Sequence, residues 1–289
     1  MIWPQDVSLK PLSEHAVPLH KIQTEILGLL AASRDPESYV AGSTPLNRNS
    51  ARFSGDIDIF HDRAERVAQA AANDARILQD AGYRVAWIRQ LPTIHSAEIR
   101  DGQGATKLEW AMDSDFRFFP TLRDALFGYV LHPVDLGMNK VLAAAGRREL
   151  RDIVDLIGVH DTVLPLGAIV WAAVEKSPGF TPEGLIGEIR RNLNHPAGVW
   201  RSLAVEEPLD PAAIVGRVRE ILDAAETFVR QMPTDVAGLL FLEGTTPVQP
   251  DPARLDRYVQ HAGQRRGQWP SNAEITAAMW ETYRSKPGQ

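Results

Sequence analysis
The stretch that most constrains the fold is Gly42 to Phe60, which ends in Asp56-Ile57-Asp58-Ile59-Phe60. Acid and aliphatic side chains alternate there, which predicts a β-strand, because successive strand residues face opposite sides. Ile57 and Ile59 then enter a core, and Asp56 and Asp58 share the other face. At about 3.3 Å per residue the two carboxylates lie about 7 Å apart and repel each other unless a cation lies between them. Hard oxygen ligands of this kind suit Mg²⁺, which is held by one or two carboxylates together with substrate phosphates. Upstream, Gly42-Ser43 reads as a turn whose backbone N–H groups and hydroxyl can cradle phosphates. A polar loop carrying Arg48 and Arg52 joins turn to strand, and Ser54 shares the face of the aspartates if the strand already begins there.

The rest of the front half supplies a sheet around this strand. After a lead-in with Pro4, Pro11 and Pro18, Ile22, Ile26, Leu29 and Leu30 recur at helical spacing. Residues 38–41 form a short apolar strand into the turn. A long alanine-rich helix over about 63–81 ends at Gly82, in C-cap position. Three strands follow over 83–88, 94–99 and 106–111, the last two joined by Asp101-Gly102-Gln103-Gly104. The spacing predicts a small mixed sheet with helices on one side. From Pro133 the pattern is helical: 133–156 with Gly137 and Gly146 as interruptions, then 164–175, 182–192, 211–231 and 272–284, with a proline-rich break over 245–252. The predicted fold class is α+β, with an α/β core over residues 1–130 and a helical region over 131–289. A boundary near 160 is the alternative.

A third acid comes from the last strand of the meander, where Glu109 lies between Leu108 and Trp110. In two-cation phosphoryl transfer an additional carboxylate helps hold the ion that activates the attacking hydroxyl. Glu109 could equally be a solvated strand residue paired with Lys107 or Arg117, and Asp113 and Asp115 compete for the same role. Farther on, Lys140, Arg147, Arg151 and Asp155 fall within about 80° of one another on a helical wheel, which an amphipathic helix with a solvated face would also explain. In one unbroken helix Lys140 and Asp152 would stand about 18 Å apart. If both serve one site, the helix must break near Gly146.

Composition narrows the alternatives. A net charge of −6 provides no global field for nucleic acid, although a local basic groove is compatible with it. With no cysteine there are no disulfides, thiolate metal sites or cysteine nucleophiles. The eight histidines are scattered without paired spacing, which argues against zinc, and no Ser-His-Asp pattern is visible. His61, just past the strand, reads as a loop residue. The pairs Arg190-Arg191 and Arg265-Arg266 read as solvated surface. No secretory signal is visible at the start and no apolar run is long enough to span a bilayer, so the expected location is the cytoplasm, without membrane association.

At these residues the chain resembles the AbiEii/AbiGii-type nucleotidyltransferases of the DNA polymerase β-like superfamily, often toxins of type IV toxin–antitoxin pairs. The family pattern is a Gly-Gly-Thr/Ser turn, an Arg-x-Ser-x-Asp-x-Asp strand, a helix with Lys followed by Ala, and Arg-Asp-x-x-Asp-Leu. Gly42-Ser43, Arg52 through Phe60, Lys140 through Ala143 and Arg151 through Leu156 match in that order, and Ala41 replaces the first glycine. The resemblance implies transfer of a nucleoside monophosphate from an NTP to a hydroxyl. In it Asp56 and Asp58 hold Mg²⁺, with Glu109 as third acid aligning or activating the acceptor. Gly42 and Ser43 contact the triphosphate, with Arg52, Ser54 and Arg151 in the nucleotide site. Lys140 steadies the phosphates, and Asp152 or Asp155 orients Lys140, Arg151 or the acceptor. It further implies an RNA or tRNA acceptor and a cognate antitoxin protein. Two alternatives stand beside it: transfer to a small molecule of the antibiotic type, whose cationic members suit an acidic protein, and a catalytically inactive nucleotide-binding or interaction protein.

Overall fold
Alternation along Asp56–His61 (β2) organises the sheet: Ile57 and Ile59 are fully buried, while Asp56, Asp58 and Phe60 lie half-buried on the opposite face. The structure is a computed structural model and describes residues 19–46, 52–205 and 209–265. Arg48, the proline-rich lead-in up to Pro18, Arg266 and the helix expected over 272–284 lie outside the described residues.

The fold is α+β, as the pattern predicts. Helix α1 (Lys21–Leu30) leads into β1 (Ser38–Ala41), the short α2 (Ser43–Leu46), β2, and α3 (Ala64–Asp80). Next come β3 (Arg84–Leu91), β4 (Ile94–Arg100), β5 (Ala105–Met112), β6 (Leu122–Asp124) and β7 (Gly128–Val130). They form one seven-stranded mixed sheet in the order β3-β4-β5-β2-β1-β7-β6. β2 runs parallel to β5 and antiparallel to β1, and β3-β4-β5 is an antiparallel meander. β6 and β7 are too short to show a period in the sequence, and they extend the sheet beyond the expected small one. One face packs on α1 and α3 through Ile26, Leu30, Ile57, Ile59, Val67, Leu78, Leu108 and Trp110. Within this core Asp74 of α3 accepts from Arg34 and from the Trp110 indole, which satisfies a buried charge.

The helical region follows as α4 (Pro133–Gly146), α5 (Leu150–Gly158), a π-turn over Val159–Val163, α6 (Leu166–Lys176), α7 (Pro182–Arg191), α8 (Ala197–Arg201) and α9 (Pro211–Gln231). Gly146 does end its helix, with Arg147 extended at φ −147° and ψ 157°. Gly137 does not interrupt α4. A Cβ there would come within 3.0 Å of Val159 Cγ1, so this glycine permits close packing against the π-turn. A second core joins α4, α5, α6, α7 and α9 with β8 (Leu240–Glu243). β8 sits between β10 (Val259–His261) and β9 (Thr246–Val248) in a small sheet whose strands lie before, inside and beyond the expected proline-rich break. No single helix among the described residues is long and apolar enough to cross a membrane, although Leu150–Val163 and Leu166–Lys176 together reach that length and apolarity across a bend of 111°. Ile153, Leu156 and Val159 of that pair, and most of α6, are buried in the second core. A third cluster, Tyr39, Ala41, Tyr129, Leu131 and Leu136, fastens α4 to the sheet face that carries the aspartates.

Candidate active site
The half-buried acids of β2 open into a cleft of about 680 Å³ between the sheet and helices α4 and α5. Because β2 and β5 pair in parallel with Asp58 opposite Glu109 and Asp56 opposite Lys107, these four charged residues share the cleft face. Asp56, Asp58 and Glu109 all line it. Burial first, then the like charges of Asp56 and Glu109, push the Asp58 carboxyl up to about 7, against the pull of Lys140 and Arg151.

Gly42 holds the other wall. Its φ of +71° lies in the left-handed region, and a Cβ would lie 2.9 Å from Asp58 Cγ and closer still to Oδ2. The glycine therefore serves both the turn and the approach of the aspartate. Ser43 beside it is buried, and its hydroxyl accepts from Lys140 Nζ at 2.7 Å and donates to Asp155 Oδ2 at 3.1 Å. Lys140 Nζ also lies 3.2 Å from Asp152 Oδ1 and 2.8 Å from Asp155 Oδ2. The break after Gly146 makes this possible. α5 folds back, so Lys140 and Asp152 meet where one straight helix would have held them about 18 Å apart.

A buried layer of Arg52, Asp152 and Asp155 sits behind these cleft-lining groups, and the exposed Arg147 reaches it from the cleft. Arg52 grips Asp155 with two hydrogen bonds of 2.8 and 2.9 Å, and Arg147 grips Asp152 with bonds of 2.7 and 3.2 Å. Burial raises the Asp155 carboxyl, but Lys140 and Arg52 outweigh it and hold the group below the usual carboxylate range. Arg52, Asp152 and Asp155 are 4%, 0% and 3% exposed. None of them meets solvent in the way a direct nucleotide or acceptor contact requires, and their geometry is that of support for Lys140. Ser54 is likewise fully buried, and β2 begins only at Asp56. Its hydroxyl bonds Thr44 and the Asp56 carbonyl, which ties the turn to the strand. The polar atoms of Arg52 and Ser54, both expected in the nucleotide site, are thus turned into the protein and bonded there. His61 is not the expected loop residue. It lies inside β2, on the core face, and burial lowers its imidazole to about 3.

The third acid is narrowed by geometry. Glu109 stands next to Asp58 in register and carries an ion pair to Lys107, while Arg117 pairs with Asp62 instead. Asp113 lines the same cleft but lies about 13 Å farther along the strand direction, beside Asn139 and Lys176. Asp115 faces Arg265.

Asp56, Asp58 and Glu109 are hard oxygen donors of the kind that divalent cations take, and burial together with their like charges raises the Asp58 carboxyl. Among the described residues no three His, Asp or Glu side chains converge as a ready-made metal cluster. Instead Arg151, at 3.3 Å, partly neutralises Asp56, and Lys107 does the same for Glu109. Cleft residues without any sequence signal are Arg89, Ile94, Asn139 and Lys176, brought in from β3, β4, α4 and α6.

No family model matches the chain, and no curated protein matches it in sequence. Among solved structures the chain is similar to JHP933 from Helicobacter pylori, at 15% identity over 76% of this chain and 95% of that one, with a TM-score of 0.44. It is also similar to MenT4, a nucleotidyltransferase toxin from Mycobacterium tuberculosis, at 16% identity over 74% of this chain and 83% of that one, with a TM-score of 0.49.

Proposed function
We propose that the protein is a Mg²⁺-dependent nucleotidyltransferase that moves a nucleoside monophosphate from an NTP to a hydroxyl acceptor, with release of pyrophosphate. The observation that carries this reading is the cleft itself: Asp56, Asp58 and Glu109 on one wall face Lys140 and Ser43 on another, with Arg151 between them.

Asp56 and Asp58 would hold Mg²⁺, with Glu109 as the third acid. The ion would neutralise charge on the transferring phosphoryl group and lower the pKa of the attacking hydroxyl. Gly42 leaves room for the triphosphate beside Asp58. Lys140, held by Ser43, Asp152 and Asp155, supplies a fixed positive charge for the phosphates without reorganising during reaction. Arg151 is half-exposed and only loosely tied to Asp56, so it can turn from the carboxylate to a phosphate. The acceptor oxygen bonds to the α-phosphorus as the bond to pyrophosphate breaks. Glu109 borders the acceptor path and receives the hydroxyl proton. The biological reading is a cytoplasmic toxin of the type IV kind, with RNA as acceptor and a protein antitoxin as partner.

The test is incubation of the purified chain with labelled NTPs, Mg²⁺ and total RNA, beside a panel of aminoglycosides and the Asp58→Asn variant. Label should enter RNA with the wild type alone. Transfer to an aminoglycoside in its place would assign a small-molecule acceptor. Absence of any transfer together with absence of NTP binding would leave only an interaction protein.

A further inference from the structure
Among the described residues, one cationic side chain that lines the cleft forms no ion pair. Lys107 pairs with Glu109, Lys140 with Asp152 and Asp155, Arg147 with Asp152, Arg151 with Asp56, and Lys176 with Asp113. Arg89 also lines the cleft, and among the described residues it makes no ion pair or side-chain hydrogen bond.

Its position is built rather than incidental. Across the sheet Asp58 pairs with Glu109, Glu109 with Ser96 and Ser96 with Arg89, which places the four in one row on the cleft face. The row depends on an irregularity. β3 and β4 pair regularly up to Trp87 opposite Ala97, the register then shifts, and Arg89 instead of Ile88 comes opposite Ser96. Regular pairing would have set Ile88 toward the cleft and turned Arg89 to the other face. Three strand spacings separate Arg89 from Asp58, about 14 Å of backbone. Lys140 and Arg151 approach from the opposite flank, beside β1 and β2. Arg89 is thus on the far side of the carboxylates from the groups that suit the triphosphate. β3 contains no acid, and the single acid of β4, Glu98, pairs with Arg100.

We infer that Arg89 binds an anionic group of the acceptor, and that the second substrate carries a phosphate near its attacking hydroxyl. This rests on the nucleotidyltransferase reading above and adds to it the residue that contacts the acceptor phosphate. The phosphate can come from a polynucleotide backbone or from a free mononucleotide. A cationic acceptor is disfavoured, because Arg89 would repel it.

The experiment measures binding of a fluorescent single-stranded oligoribonucleotide, a 5′-mononucleotide and a non-hydrolysable NTP analogue to the full chain, to Arg89→Gln and to Arg89→Lys, over a salt series. For Arg89→Gln the oligoribonucleotide Kd should rise about tenfold, as for loss of one charge-assisted contact. The slope of log affinity against log salt should fall by about 1. NTP-analogue affinity should stay unchanged, and Arg89→Lys should recover part of the loss. If the mononucleotide shows the same loss as the oligoribonucleotide, the phosphate is that of a small acceptor; if only the oligoribonucleotide does, it is a backbone phosphate. An unchanged Kd for both acceptor probes overturns the inference, as does an equal loss of NTP-analogue binding. So does undiminished transfer to an aminoglycoside by both wild type and Arg89→Gln. Failure of the wild type to bind the NTP analogue or transfer label would instead overturn the underlying reading, so the two failures are distinct.

Discussion
Gly42 lies against Asp58 so closely that a Cβ on residue 42 would stand 2.9 Å from Asp58 Cγ. Turn and carboxylate are 16 positions apart in sequence and share one small volume, because β1 and β2 run antiparallel with Ala41 opposite Asp58. Gly42→Ala should therefore displace Asp58 and strain a left-handed residue, at a cost of about 1–3 kcal/mol. Transfer activity should fall at least tenfold while the far-UV circular dichroism stays native. An active Gly42→Ala protein would mean that the carboxylate need not sit where it does.

Asp58 links the site to pH. Its folded pKa is raised from the ordinary value to about 7, so the fold favours the protonated acid. The corresponding stability is fully present below about pH 4 and is lost as pH rises through 7, with a slope approaching about 1.4 kcal/mol per pH unit. Asp58→Asn should remove that slope and be more stable than the wild type at pH 8, measured by urea unfolding. MgCl₂ should raise the wild-type melting temperature at pH 8 and leave Asp58→Asn unmoved. A magnesium shift of equal size in both proteins would place the ion elsewhere.

Breaking the buried layer should cost stability before it costs chemistry. Arg52→Met leaves Asp155 with Lys140 and Ser43 but without its bidentate partner. Loss of one partner of a buried pair costs about 3–5 kcal/mol, readable in chemical denaturation. Asp155 also has a lowered pKa. Its contribution is present above the unfolded-state value and is lost as pH falls below about 4, so Asp155→Asn should blunt acid unfolding.

Lys140→Met has a different signature. Asp152 keeps Arg147 and Asp155 keeps Arg52, so neither acid is left without a cation. The variant should fold, bind NTP more weakly and lose activity by about 100-fold or more, the scale for removing a preorganised electrostatic contact. Retention of full activity would remove Lys140 from the phosphate site.

Arg151→Ala should leave stability nearly untouched, because its pair with Asp56 is partly exposed and such pairs contribute about 0–1 kcal/mol. Its effect should appear in the KM for NTP, determined by steady-state kinetics.

The period-2 pattern of β2 and the 3.6-residue period of α1, α6 and α9 were legible because local alternation reports which face meets a core. The break at Gly146 was legible in conditional form, since one straight helix cannot bring Lys140 and Asp152 together. β6, β7 and the β8–β10 sheet were not, because strands of three or four residues carry too little period, and what makes them strands is the neighbour they pair with.

Charge partners divide the same way. Asp56, Asp58, Glu109 and Lys140 could be named as candidates from residue type and spacing alone. That Arg52 and Asp155 bind each other across 103 residues of chain, and so leave the cleft for its buried support, follows only from tertiary packing. The same holds for Arg89, whose side is set by a register shift. A residue's chemistry is written in its side chain, but its partner and its exposure depend on which distant segment the fold brings against it.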